Sequence, residues 1–120
     1  MKTLPKEDNL IVDLTFRFAI DIVEYAEKLE ANRKYILARQ LLKSGTSIGA
    51  NVHEAQNAES DDDFIHKMKV AAKEMDESIY WLRICSHSYG YPDTSNLMKQ
   101  IYSIQNVLNK IIATSKRNRN

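Results

Sequence analysis

Apolar residues return along this chain at alternating spacings of three and four, in four separate segments, and few folds can bury such a pattern. Ile11, Leu14, Phe18, Ile22, Tyr25 and Leu29 form the first stripe, and Leu37, Leu41, Gly45, Ile48, Val52 and Ala55 the second. Phe64, Met68, Ala71, Met75, Ser78, Leu82, Cys85 and Tyr89 form the third, and Leu97, Ile101, Ile104, Leu108 and Ile111 the fourth. A period near 3.6 puts each set on one side of an α-helix, and no segment shows the strict alternation of a strand. The pattern predicts helices over about 9–30, 33–57, 61–89 and 93–115. Connections of about three residues between long helices force each to run back along its predecessor. The expected fold is therefore all-α, a left-handed, antiparallel, up-and-down four-helix bundle forming a single domain over residues 1–120.

Local signals agree with most of these boundaries. Asp8 or Asn9 offers a side-chain oxygen to cap the first helix, and Asp93 after Pro92 does so for the fourth. Ser60 with Asp63 has capping-box form, and Asp61, Asp62 and Asp63 place negative charge at the positive end of a helix dipole. Gly90 is the natural stop for the third helix, and the fourth is expected to fray from Ser115. Ser44, Gly45, Thr46, Ser47 and Gly49 are weak helix formers, yet the apolar rhythm passes straight through them. The second helix is thus read as continuous, its slim middle allowing a close crossing with another helix. Val12, Phe16, Ala19, Ile20 and Val23 fall outside the first stripe. They imply either a wider buried face or a surface shared between subunits.

With 43% hydrophobic and 28% charged residues the chain is too apolar for disorder, and its 120 residues suit one core. The lone cysteine, Cys85, leaves no internal disulfide and no thiolate cluster for zinc, which points to a reducing, cytoplasmic setting. No run approaches the ~20 apolar residues of a membrane span, and the first residues lack the apolar core of a signal peptide. Net charge is only +1, but residues 54–77 carry eight acids against three lysines, a balance of −5, and residues 78–120 six cations against Asp93 alone, a balance of +5.

Catalytic and metal-binding patterns are missing. His53, His66 and His87 lack a recognisable nucleophile partner, and Asp63 with His66 is the one acid-x-x-His pair, where a di-iron bundle needs two. The run Lys43 to Gly49 lacks the order of a phosphate-binding loop. Arg83 and His87 share a helix face, which keeps a HEPN-like ribonuclease as an alternative, although three residues separate them where that class has four to six. We therefore expect no enzyme, metal or cofactor. Arg39, Lys43, Ser47, Asn51 and Glu54 make a polar line beside the second stripe. Within it Ser47, Asn51 and Glu54 are read as structural, with Asn51 and Glu54 paired to third-helix donors such as Lys69 or Lys73. Arg33, Lys34, Arg39 and Lys43, together with Lys110, Lys116, Arg117 and Arg119, are the candidate phosphate contacts, although no aromatic interleaving accompanies them in the sequence.

The run from Leu41 to Ala55, with its Ser47-Ile48, Asn51 and Glu54, resembles the family of 23S rRNA-intervening sequence proteins. So do Asp63-Phe64-Ile65-His66-Lys67, Tyr80-Trp81-Leu82 and the turn Tyr89-Gly90-Tyr91. Ala55 stands where many members have glycine. The resemblance implies a four-helix bundle without known enzymatic activity that assembles into a ring, typically a homopentamer. It also implies relatives such as the accessory protein of diversity-generating retroelements, which binds a reverse transcriptase and nucleic acid through a basic surface. The expected function is a homo-oligomeric scaffold for RNA or a ribonucleoprotein partner. The alternative is a protein-interaction adaptor without nucleic acid.

Overall fold

Each stripe forms one helix and is buried along most of it, Tyr89 of the third stripe excepted. The computed structural model describes the backbone of residues 6–119 and the side chains of residues 10–119. Four helices occupy them, α1 (Lys6–Ala31), α2 (Tyr35–Ala55), α3 (Asp61–Ser86) and α4 (Ser95–Asn118), with no strand among the described residues. α1 packs on α2 and α4, and α3 packs on the same two, so chain neighbours are spatial neighbours around a four-cornered bundle.

Cross-helix pairs fix the directions. Gly45 lies against Ile22 and Gly49 against Thr15, so α2 descends as α1 rises. Ser44 meets Ser78 and Glu54 meets Lys67, which sets α3 against α2. Asp21 takes a bond from Gln100, and Tyr25 reaches Pro92, which sets α4 against α1. The core is most of the predicted one: Ile11, Phe18, Ile22, Leu29, Leu41, Ile48, Met68, Leu82, Ile101, Ile104 and Leu108 are fully buried, whereas Leu14, Leu37, Phe64 and Ile111 are half-buried against it, and Ala26, Ala38 and Ile65 join it from outside the stripes.

α2 runs unbroken through its small residues, and the geometry shows why they are small. A Cβ on Gly45 would lie 2.9 Å from two side-chain carbons of Ile22, and one on Gly49 would lie 3.2 Å from the Thr15 carbonyl oxygen. Both glycines therefore mark places where α1 and α2 pack closely. Thr15, buried at that crossing, donates its hydroxyl to the Ile11 carbonyl at 2.8 Å.

Several boundaries differ from the expectation. α1 already begins at Lys6, so Asp8 and Asn9 lie inside it and neither is its N-cap; Lys6 and Glu7 are good helix formers and extend it. α2 starts at Tyr35 rather than 33, because Arg33 adopts φ +62, a left-handed conformation that no helix continues. It ends at Ala55 rather than 57. α3 starts where expected, with Ser60 Oγ accepting from the Asp63 N–H at 3.0 Å, while Asp63 Oδ2 accepts from the Glu59 N–H at 3.1 Å. It stops at Ser86, capped at His87, and Gly90 at φ +82 shapes the following turn instead of ending the helix. Tyr89 is thereby released from the stripe. Asp93 does not cap α4: its Oδ1 accepts from the Ser95 hydroxyl at 2.8 Å, and Thr94 occupies the cap without a side-chain bond. α4 continues beyond Ser115 to Asn118.

Candidate interaction surfaces

The polar line of α2 is structural in a different way from the one expected. Ser47 Oγ donates to the Lys43 carbonyl at 2.7 Å, and Asn51 Nδ2 donates to the Ser47 carbonyl at 2.9 Å, so both are satisfied by their own helix. Glu54 does not face inward. Its side chain is 61% exposed and reaches Lys67 at 3.9 Å, not Lys69 or Lys73. The buried polar tie between α2 and α3 lies about three turns before Glu54, where the Ser44 and Ser78 hydroxyls share a 2.8 Å hydrogen bond and Ser78 Oγ is also 2.9 Å from the Glu74 carbonyl. Sequence reasoning missed this pair because Ser44 reads as one more small residue. Its signal is Ser78, a polar residue inside an otherwise apolar stripe.

The surplus apolar residues of α1 divide. Val12 and Ala19 are half-buried, whereas Phe16, Ile20 and Val23 are 63%, 51% and 41% exposed. A wider buried face is thus excluded for those three. Phe16 borders a groove of ≈ 320 Å³ between α1 and α2, lined also by Val12, Ala19, Thr46, Ala50 and His53. Leu42 on α2 is exposed near this side, so the patch belongs to the helix pair.

The candidate cations fall at opposite ends of the bundle. Arg33, Lys34 and Arg39 belong to the end that carries the α1–α2 and α3–α4 loops, with Lys43 two turns in from it. Lys110, Lys116, Arg117 and Arg119 lie toward the far end, about one helix length away. There the acids of the α3 start meet them, with Arg119 Nη1 2.7 Å from Asp62 Oδ1. The fold thus brings together the first group and separates it from the second. Among the described residues, Arg33, Arg39, Lys43 and Arg83 have no ion-pair partner.

The loop end also gathers aromatics that are remote from these cations in sequence. Lys34 Nζ lies 5.1 Å from the centroid of the Tyr91 ring, a cation–π contact that pins one loop to the other. Tyr25 donates its hydroxyl to the Pro92 carbonyl at 2.7 Å, a second pin. Burial, with the Cys85 thiol alongside, pushes the Tyr25 phenol far above its ordinary range. Burial likewise raises the Cys85 thiol, against an opposing hydrogen bond from Tyr25. Tyr89 projects wholly into solvent, and Tyr35 is half exposed. Arg83 and His87 are exposed at the same end. Among the described residues no three His, Cys, Asp or Glu side chains converge as a metal site, and no helix is long and apolar enough to cross a membrane.

The profile of the 23S rRNA-intervening sequence protein family matches residues 7–113. The fold is similar to the 1.70 Å crystal structure of a protein of unknown function from the S23 ribosomal protein family of Bacteroides thetaiotaomicron, with a TM-score of 0.84 and 34% identity, covering 89% of this chain and 98% of that one. No curated protein matches the chain.

Proposed function

Because the chain belongs to the 23S rRNA-intervening sequence protein family, we propose that it is a non-enzymatic scaffold that assembles with copies of itself and engages RNA or a ribonucleoprotein partner. The observation that carries this reading is the row Phe16, Ile20 and Val23 standing in solvent beside the α1–α2 groove. Covering the exposed half of such a side chain contributes about 1 kcal/mol, so a flank of three favours a second copy over open water. The family resemblance implies a ring, typically of five copies. The RNA half is supported by Arg33, Arg39 and Lys43, cations that no carboxylate of this chain neutralises among the described residues. Of the two basic groups it favours this one, since Asp62 already engages Arg119 at the other end. A cytoplasmic setting goes with the free, buried thiol of Cys85.

Sedimentation velocity tests assembly: the wild-type chain runs as an oligomer and Ile20→Glu as a folded monomer. A wild-type monomer at micromolar concentration would end the assembly half. RNA affinity is expected to fall steeply with added salt as counterions are released, and absent or salt-independent binding would end the other half. The near-neutral net charge of +1 favours a second reading, a protein-interaction adaptor. Capture of a partner that survives nuclease treatment, with no RNA bound, selects that reading.

A further inference from the structure

We infer that the loop end of the bundle is a stacking site for unpaired nucleotides, with Tyr89 and Tyr35 offering ring faces to bases and Arg33, Arg39 and Arg83 holding phosphates. This rests on the RNA-binding reading above and names the form of RNA engaged.

Tyr89 is the residue that asks for an explanation. It is 102% exposed, in a turn where α3 has already ended and Gly90, at φ +82, has only open space around it. A phenol ring there adds nothing to the core. Its neighbour Tyr91 differs, being half-buried with its ring already engaged by Lys34. That contact and the Tyr25 bond to Pro92 hold the turn against the α1–α2 loop and α1, so Tyr89 projects from a braced platform at the end of the bundle that carries Arg33. The register set by Ser44 with Ser78 and Glu54 with Lys67 brings Arg39 level with Arg83, and Tyr35 level with His87.

Exposed rings interleaved with unpaired guanidinium groups match the chemistry of a single strand. Every base has a face that stacks on an aromatic ring, and arginine meets both phosphate and π surfaces. A duplex hides those faces inside its own stack and leaves only edges and backbone. The acids at this end are Glu27 and Glu30, both exposed, Glu24, which is already paired with Lys28, and Asp93, which accepts from the Ser95 hydroxyl; Arg33, Lys34, Arg39 and Arg83 outnumber the three that Lys28 leaves. Charge complementarity therefore favours a polyanion over a basic partner.

The test is fluorescence anisotropy of the full chain with a short labelled oligoadenylate and with an RNA duplex of equal length, at one ionic strength. Because Tyr89 touches nothing, Tyr89→Ala and Tyr89→Trp melt at the wild-type temperature. Tyr89→Ala is expected to weaken single-strand binding roughly fivefold to 150-fold, the equivalent of ~1–3 kcal/mol per stacked base. Tyr89→Trp retains it, and duplex binding is weaker from the start. Wild-type RNA binding that ignores Tyr89→Ala, or that is as tight for duplex, overturns the stacking site and leaves the RNA-binding scaffold standing. No binding of either RNA overturns both. Binding of poly-glutamate with the same dependence on Tyr89, in place of RNA, assigns the surface to an acidic protein partner and overturns this proposal.

Discussion

The two sides of α1 are built from similar residues and do opposite things. On the inner seam, Thr15 and Ile22 press against Gly49 and Gly45 so closely that even a methyl group has no room. On the outer flank, one helical step around, Phe16, Ile20 and Val23 stand largely in solvent. Hydrophobicity alone does not distinguish the two. The distinction lies in the partner helix, which has its glycines at the seam and Thr46, Ala50 and His53 along the groove beside the flank. Apolar surface left over after the core is complete is what a single chain cannot use by itself.

The largest effect expected from breaking this contrast is at the seam. Gly49→Val drives a branched side chain into the Thr15 carbonyl, a backbone atom that cannot swing aside, and should destabilise by about 3 kcal/mol, read as a fall of roughly 10 °C in Tm. Ser78→Ala comes next. It strips the partner from a buried Ser44 hydroxyl and should cost about 1–2 kcal/mol by urea denaturation. Adding Ser44→Ala should then cost less than the sum of the single changes, since the two hydroxyls share one bond.

Tyr25→Phe removes the bond to Pro92 and should cost about 1 kcal/mol at neutral pH. It also carries a pH signature. Both Tyr25 and Cys85 are raised in the folded state, so the fold holds their protons more tightly than the unfolded chain does. That contribution is complete below the unfolded thiol value near 8.5. It declines as pH rises past it, and further above the unfolded phenol value near 10. Wild-type Tm should therefore fall in the alkaline range, and Tyr25→Phe should flatten the upper part of that fall.

On the flank the prediction reverses. Phe16→Ser should change the stability of the dissociated subunit by no more than about 0.5 kcal/mol, while abolishing the oligomer in sedimentation. A large loss of subunit stability would mean that Phe16 belongs to the core after all. Smallest of all is Arg119→Ala. Its pair with Asp62 is short but exposed, and such pairs contribute between nothing and about 1 kcal/mol, so the melting curve should scarcely move.

Helix content, pairing order and nearly the whole core were legible in the sequence, because one periodic signal repeats through four segments and short links leave a single way to fold them. The glycine crossing was legible too, from a rhythm that continued through poor helix formers. Helix ends were harder. Asp93 looks like a cap but spends its carboxylate on Ser95, and Arg33 takes a left-handed conformation that its side chain does not advertise. The sequence pattern pairs Asn51 and Glu54 with the third helix, yet an asparagine can satisfy itself on the previous turn, and a glutamate is long enough to pair while remaining wet. The loop end was not legible because its members come from residues 33–39 and 83–91, and only folding places Lys34 over Tyr91. The outer flank was visible as an excess, but its exposure depended on how wide the neighbouring helices are.

One arrangement reaches further. The start of α1 and the end of α4 share a groove, where Leu10 lines the same wall as Lys110, Ile111 and Thr114. A short linker should therefore join the two, and the chain could be reopened between Asn57 and Ser60 as a circular permutant with its packing intact. By the same geometry, any domain fused before α1 or after α4 leaves from the pole opposite Tyr89, so a fluorescent reporter on either terminus should not shadow the loop end.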